Sequence, residues 1–312
     1  LAPTQAARTL LAGLIDYAGL FPPARLDMPR AVEAYARHRQ GEHEWMLGRF
    51  VCPVSRLDEF SRHAAALLPG TYATSGYRER VGSEPWRLSA LIDGPLEANL
   101  EAIERFNARH AAMEQGLACV DCVELKPETA GDIDTAIDQL PATLYPFFEV
   151  PAGADPRGFI AAMAGQNVAA KIRTGGITPD AFPSAERLAA FLQACHAADV
   201  PFKATAGLHH PVRGPHPLTY EPGSARCTMH GFLNVFFAAA LVRAGRIEGR
   251  AVIELLDETD PSAFVMEPTA LRWRQTGVDL PTVARVRETF ALSFGSCSFD
   301  EPIDDLRRLG VL

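Results

Sequence analysis

The chain has 312 residues, 47% of them hydrophobic, with a net charge of −8 and no basic block. That composition supplies a large apolar core and makes nucleic acid and anionic membrane surfaces poor partners. No apolar run reaches the roughly 18 residues of a membrane span, and no charged-then-apolar leader is present, so a cytoplasmic protein is expected.

In chain order, LAGLIDY reads as the first strand, with Asp16 followed by the turn GLFPPA. PRAVEAYARHR has apolar residues at helical spacing, GRFVCPV is a second strand ended by Pro53, and RLDEFSRHAAALL is the next helix. A polar link, TYATSGYRERVGSEP, leads to RLSALIDGP and the helix ANLEAIERFNARHAAM. VDCVELKP is the fourth strand, and the helix GDIDTAIDQL precedes LYPFFEVP. VAAKIR and VPFKATAGL, on either side of the helix PSAERLAAFLQACHAA, are strands six and seven.

Strand and helix alternate with about thirty residues per unit, the signature of a parallel sheet with crossover helices. Seven such units without a break predict a single-domain (β/α)₈ barrel over 1–312, rather than a doubly wound sheet. The eighth unit is placed at FALSFG, closed by EPIDDLRRLG, with 211–288 as an elaborated segment before it. Within that segment, FLNVFFAAALVRAG reads as a core helix whose aromatic face could also support self-association. The stretch 245–288 reads as an insertion of helices, ambiguous from Pro261 to Gly277.

Residues two apart on a strand share a face. With the more apolar face turned toward the helices, the inward set is Asp16, Arg49, Asp93, Glu124 with Lys126, Glu149, Lys171 with Arg173, and Lys203. Burying so many charges is costly unless each is paired or used, and barrel enzymes build their sites at the carboxyl ends of the strands. Two lysines roughly 5 Å apart at an effective dielectric of about 20 repel by on the order of 3 kcal/mol. At about 1.36 kcal/mol per pH unit, that lowers one lysine by about two units. Such an amine attacks carbonyl carbon to form a Schiff base, with a carboxylate as proton carrier. If each lysine is neutralised by its own carboxylate instead, its pKa rises.

Cys119 and Cys122 form an isolated C-x-x-C without the spacing of a zinc site, and a structural role is expected for them.

Short motifs on most strands resemble the deoxyribose-phosphate aldolase family of class I aldolases. LIDYAGLFPP is similar to its IDHTLL-like first strand, FVCPV to VCVNP, LIDGPLEA to VIGFPLGA, and Asp121-Cys122-Val123 to its DMV triplet. AAKIRTGG resembles VKTSTGF, KATAG resembles KASGG, and FGSCSF resembles the IGTSSG-like phosphate loop. The resemblance implies a cofactor-free lyase in which Lys171 is the Schiff-base lysine, Lys203 its neighbour and Asp121 the proton-shuttling acid. Strand parity instead turns Asp121 outward with Val123 and Leu125, leaving Glu124 or Glu149 for the proton work. Arg173 stands where the family has a small serine and suits a substrate carboxylate. Gly175, Gly176, Gly207, Gly295, Ser296 and Ser298 could cradle an anion through backbone N–H groups, although Asp300 and Glu301 follow directly. The expected substrate is a small carbonyl compound carrying a carboxylate or phosphate, and a homo-oligomer is possible.

Two other chemistries fit the same residues. Asp93, Glu124 and Glu149 could hold Mg²⁺, with Lys171 as a base. His209, His210, His216 and His230 with an inward carboxylate could hold Zn²⁺ or Fe²⁺, or belong to a substrate-covering lid. A barrel that binds an anion without chemistry is the third alternative.

Overall fold

The computed structural model describes residues 3–70 and 84–312. Eight strands close into an all-parallel barrel. They are β1 (Ile15–Tyr17), β2 (Leu47–Pro53), β3 (Trp86–Leu91), β4 (Ala118–Leu125), β5 (Tyr145–Glu149), β6 (Ala169–Arg173), β7 (Phe202–Thr205) and, after an excursion, β13 (Ala291–Ser296). The order around the barrel is β1-β13-β7-β6-β5-β4-β3-β2. The predicted (β/α)₈ architecture is therefore present, with strand eight where FALSFG placed it. Most of the predicted polar link between strands two and three lies outside the described residues.

Helix α1 (Gln5–Leu11) precedes β1, which is shorter than the predicted LAGLIDY because its first residues close that helix. The outer layer is α2 (Met28–Arg39), α3 (Leu57–Ala64), α4 (Leu96–His110), α5 (Ala130–Gln139), α6 (Pro156–Met163), α7 (Ala185–Ala197) and α8 (Phe232–Arg243). α9 (Arg250–Leu256), α10 (Leu280–Thr289) and the closing α11 (Asp300–Arg308) follow. Asp27, Thr129, Asp155, Ser184 and Asp279 accept backbone N–H bonds at the starts of α2, α5, α6, α7 and α10, so the helix starts follow from the sequence.

The excursion is less helical than expected. β8 (Gly214–Pro217) and β9 (Arg226–Met229) form an antiparallel ribbon over the barrel mouth, within the His- and Pro-rich segment. The ambiguous stretch from Pro261 is an antiparallel meander of β10 (Phe264–Met266), β11 (Ala270–Trp273) and β12 (Thr276–Asp279). Helix α8 has no exposed aromatic face, since every residue from Phe232 to Val242 is buried.

Tyr17, Phe50 and Trp86, on alternate positions of β1–β3, interlock with Tyr35 of α2 and Phe60 of α3. Their partners at the other parity face into the barrel. There Cys122, Phe147 and Ala169 form an apolar plug, with Tyr145 and Leu292 against it. No helix among the described residues is long and apolar enough to cross a membrane.

Candidate active site

β6 and β7 pair in parallel with Lys171 opposite Lys203, and β5 places Glu149 opposite Lys171. The two lysines share one bidentate partner. Glu124 of β4 accepts from Lys171 Nζ at 2.7 Å through Oε2 and from Lys203 Nζ at 2.8 Å through Oε1. Lys203 also donates to Asp16 Oδ2 at 2.6 Å. Glu149 Oε2 sits 2.7 Å from Lys171 Nζ without hydrogen-bond alignment, and its other oxygen is 3.4 Å from Arg173 Nε. Four charges, Asp16, Glu124, Lys171 and Lys203, thus balance in the interior, and Glu149 with Arg173 balances at its edge.

Three residues not singled out in the sequence complete this network. Ser89 donates to Glu124 Oε1 and Ser293 donates to Asp16 Oδ2, each at 2.8 Å. Both are hydroxyls at inward positions of their strands, a signal that period two could have exposed. A Cβ at Gly48 would lie 2.4 Å from Asp16 Oδ1, so glycine lets that carboxylate settle against β2, where Arg49 N–H donates to it at 2.8 Å.

For Lys203 the neutralised alternative holds: burial works against its ammonium, yet Asp16 and Glu124 raise its pKa above the ordinary lysine value. Burial likewise opposes ionised Glu124, but Lys171 and Lys203 hold it far below the carboxylate range. Glu149, also desolvated, is held down chiefly by Lys171.

A cavity of about 200 Å³ opens above this cluster at the barrel mouth. Lys171, Glu124, Lys126 and Arg173 line it on one side, and His209, Gly295 and Cys297 line it on the other. Lys203 lies beneath, 1% exposed, with its Nζ 4.9 Å from the centre of the Phe147 ring. Lys171 is thus the lysine that a small molecule reaches first.

Several expected site residues stand elsewhere. A β-bulge inserts Asp121 between the pairs Leu88–Val120 and Ser89–Cys122. The extra residue breaks the parity that assigned it to the outer face, and its carboxylate instead binds Arg49 at 2.6 Å and Arg87. Both arginines hold Asp121 ionised against the effect of burial. It contacts neither lysine, so the proton-shuttling role implied for it is not supported by its position. Asp93 follows β3, which ends two residues earlier at Leu91, and is exposed and bound to Ser55 Oγ at 2.5 Å. Gly175 and Gly207 pack back to back, each leaving the other no room for a Cβ, and of the anion-cradle glycines Gly176 and Gly295 face the cavity. The loop hydroxyls are engaged internally: Ser296 Oγ donates to Ser298 O at 2.6 Å, and Ser298 Oγ accepts from Glu301 N at 3.1 Å.

The proposed metal sets do not converge among the described residues. Glu124 and Glu149 meet at Lys171 while Asp93 lies apart. His210 pairs with Asp305 at 2.6 Å and stacks on His216, and His230 is bonded to the Pro183 carbonyl. Of the four, His209 lines the cavity above the lysines. Its Nδ1 is 3.0 Å from Glu301 Oε2 and its Nε2 is 3.9 Å from Cys297 Sγ. Burial works against the imidazolium, but these two neighbours raise its pKa to about 10. Comparison with protein-family models, with curated proteins and with solved structures finds no match to this chain, so its residues alone carry the functional reading.

Proposed function

We propose that the protein is a lyase of the class I aldolase type that forms a Schiff base through Lys171 with a small carbonyl substrate bearing a carboxylate or phosphate. The observation that carries the reading is the pairing of Lys171, at the floor of the cavity, with two carboxylates at 2.7 Å. Neither carboxylate alone makes a lysine nucleophilic. In a water-poor site, however, an approaching carbonyl favours transfer of the ammonium proton to Glu149, which leaves a neutral amine beside a neutral acid.

The amine attacks the carbonyl carbon, and one of its two protons passes to the carbonyl oxygen, giving the neutral carbinolamine with Glu149 still protonated. Protonation of that hydroxyl by Glu149 expels water and leaves the iminium. The iminium accepts the electron pair of the breaking carbon–carbon bond, forming an enamine, and the departing fragment loses its hydroxyl proton to a carboxylate. Protonation of the enamine carbon and hydrolysis return Lys171. Glu149 is the better proton carrier, because Glu124 is committed at both oxygens. Lys203, kept positive below, holds Glu124 in place. Arg173 and Lys126 at the rim suit the substrate anion.

The test is borohydride trapping of chelator-treated protein with a panel of small aldehydes and 2-oxo acids, read by intact mass and peptide mapping. A reduced adduct confined to Lys171 is expected. An adduct on Lys203 alone would reverse the roles of the lysines, and no adduct with any carbonyl would sink the reading.

A further inference from the structure

The far wall of the cavity holds a second group of reactive side chains that the lysine chemistry does not use. Cys297, just beyond β13, lines the cavity with His209 from the loop after β7. The thiol faces imidazole Nε2 at 3.9 Å, the opposite ring nitrogen faces Glu301 Oε2 of α11 at 3.0 Å, and Ser296 Oγ lies 3.4 Å from that nitrogen. Tyr220 closes the set, its hydroxyl 3.6 Å from Cys297 Sγ and 3.1 Å from Glu301 Oε2. Nucleophile, base and orienting carboxylate therefore stand in sequence, with a hydroxyl donor beside the sulfur.

We propose that Cys297, His209 and Glu301 form a second nucleophilic centre in which the Cys297 thiolate adds reversibly to the carbonyl carbon of a small aldehyde. The thiol proton passes to His209 Nε2, 3.9 Å away, while Glu301 holds the Nδ1 side of the ring. A sulfur lone pair forms the carbon–sulfur bond as the carbonyl π pair moves to oxygen, and that oxygen takes the proton from Nε2. The product is a hemithioacetal; nothing leaves and nothing is oxidised or reduced. An imidazolium beside sulfur is the setting in which cysteine reacts as thiolate near neutral pH. The elevated pKa of His209, about 10, is consistent with it.

The titratable groups facing the pair are Tyr17 of β1, Tyr220 of the excursion, Glu301 of α11 and His210 of the same loop. Burial keeps both tyrosines protonated, so they act on the sulfur as neutral groups. The centre uses no atom of Lys171 and stands whether or not that lysine forms a Schiff base.

Iodoacetamide alkylation at pH 6 and pH 8.5, followed by peptide mapping, tests the centre, with the half-exposed Cys227 as internal reference. A thiol of ordinary pKa, about 8.5, changes its rate about a hundredfold across that interval. The Cys297 rate should change less than about threefold. His209→Gln, or Glu301→Gln if the first variant does not fold, should return Cys297 to the ordinary slope. Acetaldehyde should slow Cys297 alkylation in the wild type and equally in Lys171→Arg, which retains the cation but cannot form an imine. The proposal is overturned by an ordinary slope in the wild type. It is also overturned if Cys297 resists both iodoacetamide and the smaller methyl methanethiosulfonate, or if acetaldehyde protection disappears in Lys171→Arg.

Discussion

Glu124 joins the two lysines of the interior, because each of its oxygens answers a different ammonium. Replacing it with Gln keeps the shape but leaves Lys171 and Lys203 with one carboxylate each in a dry interior. Removing one partner from a buried ionic set costs about 3–5 kcal/mol. Glu124→Gln should therefore lower the urea midpoint by that equivalent, and a loss below about 1 kcal/mol would mean that water reaches the lysines. The sign of the pH dependence follows from the depressed carboxylates. Their contribution is present above the ordinary value of about 4.3 and is lost as pH falls through their lower folded values. His209 has the opposite sign. Its raised value stabilises fully below about 6.5 and the contribution fades as pH climbs toward about 10. In a Cys297→Ala background, which takes the thiol's own proton out of the balance, urea titrations across that window should show stability falling with pH, and adding His209→Gln should flatten the slope. An unchanged slope in the variant would mean that the imidazolium is not what the folded state favours.

Between residues and fold stand the elements that carry side chains into place, and here Asn234 on α8 is decisive. Its amide nitrogen donates to the carbonyls of Leu255 at 2.9 Å and Glu258 at 2.8 Å, and its oxygen accepts from Arg213 N–H at 3.0 Å. One fully buried side chain thus ties α8 to the last turn of α9, to the chain just after it and to the approach of the β8–β9 ribbon. Asn234→Ala leaves these groups without partners, and each such loss costs about 1–3 kcal/mol. A destabilisation of about 2–5 kcal/mol in chemical unfolding is expected, and Asn234→Asp, which keeps the acceptor but turns a buried carboxylate oxygen toward two carbonyls, should cost at least as much. The sequence showed the parts of this architecture that repeat. Strand–helix alternation revealed the barrel, and period two put Lys171 and Lys203 on one face, as their register confirms. It misplaced Asp121 because a one-residue bulge leaves no mark in apolar alternation, and it extended the site to Asp93 because β3 stops two residues sooner. The β10–β12 meander was hidden by strands of three or four residues, too short to establish a period. Cys297 and His209 lie 88 positions apart, and only closure of β13 against β7 brings them together.

At the scale of the whole molecule, a chain of net charge −8 presents a cavity whose rim carries Lys126 and Arg173. Lys126 is exposed and has no hydrogen-bond or ion-pair partner among the described residues, whereas Arg173 leans toward Glu149 at 3.4 Å. A local positive field inside an acidic envelope selects by charge: it draws in a small anion and gives a neutral aldehyde no advantage. If the substrate carries a carboxylate, Arg173→Met should raise its KM by about 10–100-fold, the loss of a charge-assisted contact worth roughly 1.5–3 kcal/mol. A neutral aldehyde of similar size should shift by less than about threefold. Salt separates contact from field. Near 0.15 M the screening length is about 8 Å, so a substrate contact inside the cavity is screened much less than the approach path. Raising ionic strength should therefore lower kcat/KM for the anionic substrate in wild type, Lys126→Met should weaken that dependence, and Arg173→Met should lose affinity at every salt concentration. If Arg173→Met penalised neutral and anionic substrates alike, the arginine would be acting through Glu149, by holding the proton carrier, and the anion-binding role would fall.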